Sequence, residues 1–391
     1  MGRMISADPS LANHAAAPVS PVSDAARGPL TRRRFLLLAA LAPAGLAACG
    51  QTLAGSSASA SGSVAASPAA AAKSAIGSAA ASVSASFAAP SGTLAAFDVG
   101  AKSVTLIDTA KNEVTATKAV GAAIRWLNDG QAFWDGKEIW TYDFPANKLQ
   151  VLSIDPSNWQ VTKRVPVGNG PGHSVVLSKD QKTASINVAG DNKLVAVDTA
   201  SGKVVRGAPT GKFPCDLDNS ADFSQLYTPE RDQDTVAMFD AATLQLTKRV
   251  TFPAGSKPHM LRVSPDGATV WVQTVKAGTN VVLKAADLSV LSTQKVGKSP
   301  VSNAWSPDGA WAIVTNSGDD TATLFNAKTY KAVRTITVGQ GPSNVAFRPD
   351  GKFAYISLTR ANSVAVVDTG TWEVAKTIKV GPQPQGLILL P

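Results

Sequence analysis

Two residue types able to bind a metal ion recur at one place in this chain. His173, Cys215 and His259 each stand one or two residues after a proline, Pro171, Pro214 and Pro258. That proline closely follows a β-rich run ending in glycine, at Gly168, Gly211 and Gly255. The sequence has three His and two Cys, so beyond His14 and Cys49 every His and Cys is in this set. Two imidazoles and a thiolate suit zinc or copper(I), with a coordination position left open. The same place in this and the other units holds Asp216, Met260, Ser302, Asn344 and Gln385. The whole ring is therefore a candidate ligand-binding site, with His173, Cys215 and His259 as its metal-ligating subset. The plainer reading is polar lining at a channel mouth, satisfied by water and backbone.

Other candidate chemistry is weaker. Asp216-x-Asp218-x-Ser220-x-Asp222 has the first spacings of a calcium loop, but Ala221 replaces the turn glycine and Tyr227 the closing acid. Glu230-Arg231-Asp232-Gln233-Asp234, Lys276, Asp319-Asp320 and Arg360 read as solvated loop charges. No nucleophile elbow, phosphate loop, His-Glu-x-x-His or dinucleotide fingerprint occurs, so no catalytic residue is assigned and no cofactor is expected from a motif.

The elements that position these residues begin only after an unusual N-terminus. Thr31-Arg32-Arg33-Arg34-Phe35-Leu36-Leu37 precedes a short apolar stretch, and Leu46-Ala47-Ala48-Cys49 follows it. The first resembles a twin-arginine export signal and the second a lipobox. Together they imply a removed signal over residues 1–48, diacylglycerol on Cys49, and an extracytoplasmic domain tethered to a membrane. Residues 51–90 carry 16 Ala and 11 Ser, a composition too poor in apolar bulk to order itself, so 49–90 reads as lipidated Cys plus linker. The formal charge is +9, but residues 1–48 hold five Arg against two Asp. The remainder has no Lys/Arg run, which argues against a nucleic-acid footprint.

From residue 91 to 391 the texture is short β-branched runs between turn residues. A β run ending in Gly recurs at 121, 168, 211, 255, 297, 339 and 381. A second anchor is a β run closing on Asp, as in Leu194–Asp198 and Val364–Asp368. A third is the turn Ser264-Pro265-Asp266-Gly267, repeated at 306–309 and, with Arg348, at 348–351. Each unit reads as strands A to D: Asn344–Phe347, Phe353–Ser357, Ser363–Val367 and Glu373–Val380 in the last complete one. Four-stranded units at this period predict an all-β, seven-bladed β-propeller. The first unit lacks strand A and residues 386–390 supply one, so the ends should close the ring.

Ile313-Val314-Thr315-Asn316, with the Val-Gly-x-x-Pro and Ser-Pro-Asp-Gly motifs, resembles the YVTN-repeat propeller family. That resemblance implies the architecture. It also implies a range of roles, from surface binding proteins to cofactor-associated accessory proteins and lactonases. The expectation drawn here is a monomeric, non-enzymatic binding or scaffold module. It would offer the D–A and B–C loop face to a protein, glycan or small ligand. The alternative is an extracytoplasmic enzyme, or a cofactor- or metal-associated accessory protein, with its site at the channel mouth.

Overall fold

The computed structural model describes residues 92–125 and 137–390. The signal, the Cys49 lipidation site and the linker lie outside the described residues, as do Trp126 and the turn Asn128-Asp129-Gly130. The described chain forms seven antiparallel sheets, six with four strands and one with three. Blade I is composite: its innermost strand, Pro384–Leu390, pairs antiparallel with Thr93–Asp98, and strands Ser103–Asp108 and Glu113–Ala119 follow. Blades II to VII then occupy residues 139–169, 176–209, 218–251, 258–295, 300–337 and 342–379. Blade II has three strands among the described residues. The seven-bladed propeller is thus present, closed by pairing of its two ends.

Packing follows from pattern. Strand C of blade VII, Ser363–Asp368, is buried at five of six positions, as befits a strand covered on both faces by neighbouring blades. Strand D, Glu373–Lys379, alternates polar and apolar and lies mostly exposed at the rim. The apolar residues divide into seven clusters, each shared by two adjacent blades. The one joining blades VII and I contains Leu94, Ile107, Tyr355 and Leu387. Ring closure is therefore a hydrophobic interface like the others as well as a strand pairing.

The turn motifs act locally. Gly267, Gly309 and Gly351 take φ of 71°, 66° and 71°, which a side chain disfavours. Asp198, Asp240 and Asp368 accept backbone N–H groups of the C–D turn at 2.7–2.8 Å. Among the recurring strand-D glycines, Gly121 and Gly255 also take positive φ, 74° and 79°, whereas Gly211 and Gly381 have a different cause. A Cβ on Gly211 would sit 2.6 Å from the Glu230 carboxyl, which instead accepts the Gly211 N–H at 2.6 Å. Gly381 is likewise pressed against Asp98.

Candidate functional site: a His/Cys/His cluster at the channel mouth

Loops of the D–A and B–C types meet on one face. Backbone hydrogen bonds from Ala189 to Pro171, Arg231 to Phe213 and Val275 to Lys257, at 3.0–3.1 Å, tie each B–C loop to the D–A loop of its own blade. On this face His173, Cys215 and His259 open strand A of blades III, IV and V. Each lies five residues before the serine of its A–B turn, Ser178, Ser220 and Ser264, and so at one radius of the ring.

The three side chains converge. One ligand atom from each lies within 4.8 Å of the others, and the two imidazoles meet edge to face with centroids 5.1 Å apart. Metal–nitrogen and metal–sulfur bonds of about 2.0–2.3 Å would draw them together by roughly 1 Å, within reach of side-chain rotation. His173 is 4% exposed and Cys215 1%, and His259, half-buried as a whole residue, keeps its Nδ1 buried. Among the described residues this is the metal-competent cluster of His, Cys and carboxylate groups. Asp216, Met260, Ser302, Asn344 and Gln385 stay outside it. Ser302 and Gln385 are bound through their carbonyls, to Thr315 and Ser357, and Asn344 through its N–H, to Ser357.

Asp216 has a bracing role that sequence did not reveal. One carboxylate oxygen accepts the Ser174 hydroxyl, next to His173, and the other accepts the Leu261 N–H at 3.0 Å, two residues beyond His259. Asn187 donates to the Cys215 and Asp216 carbonyls at 3.2 and 2.7 Å. One fully buried carboxylate thus links the three ligand-bearing strands. Asp218 accepts the Val263 N–H at 2.9 Å, and Asp222 accepts Ser220 and Ser224 within its own turn. The calcium-like spacing is structural bracing.

Electrostatics favour ligands over free acids and bases. Burial, then the neighbouring His259, then Arg231 and Arg125, hold His173 well below its ordinary value, so its imidazole is neutral. Burial pushes the Cys215 thiol up, with Arg231 opposing and Asp216 adding to the rise. Such a thiol keeps its proton until a cation displaces it. Arg125 is a functional candidate missed in the sequence. It stands four residues after Gly121, as Cys215 and His259 stand after Gly211 and Gly255, but blade II lacks the proline that marks the place. Glu230 differs from the expectation of a solvated loop charge: it ends strand B, is fully buried, and is paired with Arg249.

A family model described as the Choice-of-anchor I domain matches residues 130–385. The chain belongs to that family. No curated protein matches this Choice-of-anchor I chain. Solved propellers share its fold at low identity. The periplasmic gluconolactonase of Pseudomonas aeruginosa is 18% identical, with TM-score 0.64 over 77% of this chain and 99% of its own. A candidate 6-phosphogluconolactonase of Bacteroides fragilis is 16% identical, with TM-score 0.65 over 77% and 98%. A dihydro-heme d1 dehydrogenase is 14% identical, with TM-score 0.60 over 78% and 76%. These findings correct the expectation of a non-enzymatic binding or scaffold module. Propellers matched over three quarters of the Choice-of-anchor I chain are described as enzymes, one of them heme-linked.

The bracing carboxylates set a pH dependence. Burial pushes Asp218 up to about 6 from 3.8, against the pull of Arg262 and the Val263 N–H. The folded state therefore keeps a proton that the unfolded chain releases, so stability is greatest below about pH 4 and falls as pH rises to about 6. Because Asp218 is partly exposed, the expected fall from this group is about 1–2 kcal/mol. Urea unfolding at pH 4 and pH 7 checks it. Asp218→Asn, which keeps the acceptor for Val263, should lose that part of the slope; identical slopes would exclude Asp218 as the source.

Proposed function

We propose that this chain is an extracytoplasmic enzyme whose reactive centre is a zinc ion held by His173, Cys215 and His259 at the channel mouth. The observation that carries it is the convergence of three ligand atoms, from three successive blades, within 4.8 Å. Three protein ligands leave a fourth coordination position for water or substrate, as in zinc sites that act on substrate. Zinc there would polarise a substrate oxygen or activate a water. Neutral His173 is in its ligand form, and Asp216 fixes the strands carrying all three ligands. The likeness to propellers described as gluconolactonases supports an enzyme of this class.

The sequence features support a domain outside the cytoplasm. The Thr31–Leu37 segment fits twin-arginine export, Cys49 fits lipidation, and the Ala/Ser linker fits a tether for a monomeric propeller of the YVTN-repeat type. In the described residues no helix is long and apolar enough to cross a membrane.

Protein purified from its native envelope is expected to carry zinc in equimolar amount by elemental analysis. Cys215→Ser should bind added zinc at least about 10-fold more weakly while melting within a few degrees of the parent. A chain that takes up neither zinc nor copper(I) under reducing conditions would sink the reading; copper(I) uptake alone would replace zinc and remove the hydrolytic role.

A further inference from the structure

Two arginines flank this centre, and neither belongs to the ligand set. Arg231 begins the B–C loop of blade IV, and its guanidinium lies 3.8 Å over the Phe213 ring. The Phe213 carbonyl accepts both the Arg231 N–H at 3.0 Å and the Cys215 thiol at 3.6 Å, which places Arg231 beside the thiol. Arg125 stands at the matching ring position of blade II with its guanidinium 5.0 Å over Phe144. Both charges act on His173, and Arg231 acts on Cys215 as well. An aromatic face holds a guanidinium by its plane and leaves its edge N–H groups directed outward. Arg231 spends one of these, Nε, on Asp232 at 3.2 Å; among the described residues no other acceptor meets its side chain or that of Arg125.

We propose that this centre takes a small oxyanion, a carboxylate or phosphate group of the substrate, held by Arg125 and Arg231 next to the metal. The inference rests on the zinc reading for its neighbour, and charge carries it further. A divalent ion with Arg125, Arg231, Arg262 and Lys257 carries six positive charges against three on the Cys215 thiolate, Asp216 and Asp232. Asp216 already faces Arg262, and Asp232 is shared with Lys257 at 3.4 Å. Excess positive charge beside the buried His173 and Cys215 is relieved when an anion binds there. Guanidinium edges match the two oxygens of a carboxylate or phosphate. The anion would therefore orient the substrate while the metal engages its reacting oxygen.

The test uses the full-length protein loaded with cobalt(II) in place of zinc, titrated with acetate or inorganic phosphate and followed by visible absorption. One of the two probes is expected to shift the cobalt bands saturably, and which one does so identifies the anion class. Arg125→Gln and Arg231→Gln should each weaken that response by about 10-fold or more, with unchanged cobalt content. Arg231→Lys should recover part of it, since charge returns without the fork. If cobalt loads and neither anion perturbs it, or both Gln variants respond like the parent, the anion subsite is refuted and the metal centre stands. If cobalt does not load, the metal reading fails, and arginine-dependent phosphate or acetate binding by calorimetry then decides the subsite by itself.

Discussion

Asp216→Ala is expected to cost about 3–5 kcal/mol of unfolding free energy and to weaken zinc binding by about 10–100-fold. Asp216 is fully buried, and the two interblade bonds of its carboxylate run to the neighbours of different metal ligands, the Ser174 hydroxyl and the Leu261 N–H. Alanine removes both acceptors at once. The Leu261 N–H then loses a bond in a region closed to water, a penalty of about 1–3 kcal/mol alone. Arg262, whose charge opposes the upward push of burial on this carboxyl, loses its counter-charge as well. The strands that carry His173 and His259 are no longer tied through blade IV, so the ligands start from a wider and more varied set of positions. Asp216→Asn separates bracing from charge. Its amide oxygen still accepts from Leu261, so it should recover most of the stability. A purely packing role would make Asn and Ala alike in both urea unfolding and zinc titration. Equal values for the two variants would remove Asp216 as a positioning residue.

The contrast between what the sequence shows and what it hides follows the range of the interactions. Strands and turns rest on neighbours in sequence. Ser264-Pro265-Asp266-Gly267 bends because of its own φ preferences and its own Ser264–Asp266 hydrogen bond, and such a motif reads in any unit. The complementary ends were legible because an A strand without B, C and D has one partner to seek. The site depends on contacts between units 42 to 45 residues apart. Spacing put His173, Cys215 and His259 at the same place of successive blades, but it says nothing about whether side chains point inward together; that depends on the fold of each D–A loop. Ser174, for instance, adopts a φ of 48° just after His173, where the corresponding residues of the other blades do not. Arg125 escaped because its blade keeps the glycine and drops the proline. The non-enzymatic expectation failed for a related reason: the repeat describes the scaffold, and a scaffold shared with propellers described as enzymes does not argue for binding alone.

Glu230 shows the same division at the level of one side chain, and it carries the second large effect. In sequence it opens a run of charged residues and reads as solvated. In the fold its oxygens accept the Gly211 N–H at 2.6 Å, the Thr235 hydroxyl at 2.6 Å and Arg249 twice, at 2.5 and 2.7 Å. The residue has no exposed surface, whereas Arg249 keeps 29% of its side chain exposed. Glu230→Ala is therefore expected to destabilise the domain by about 3–5 kcal/mol, because it strips four donors of their acceptor in a buried pocket. Glu230→Gln should cost nearly as much, since its amide NH₂ would face the Arg249 guanidinium, donor against donor. Removing both charges tells the ion pair from the cavity. Glu230→Met combined with Arg249→Leu refills the space and should return most of the loss. A double variant as unstable as Glu230→Ala would assign the cost to the Gly211 and Thr235 bonds and not to the pair. Glu230 also immediately precedes Arg231. Its anchoring to Gly211, three residues before Pro214, couples the start of the B–C loop to the D–A loop that presents Cys215, so the destabilised single variants should also lose anion response at the metal before they lose the fold.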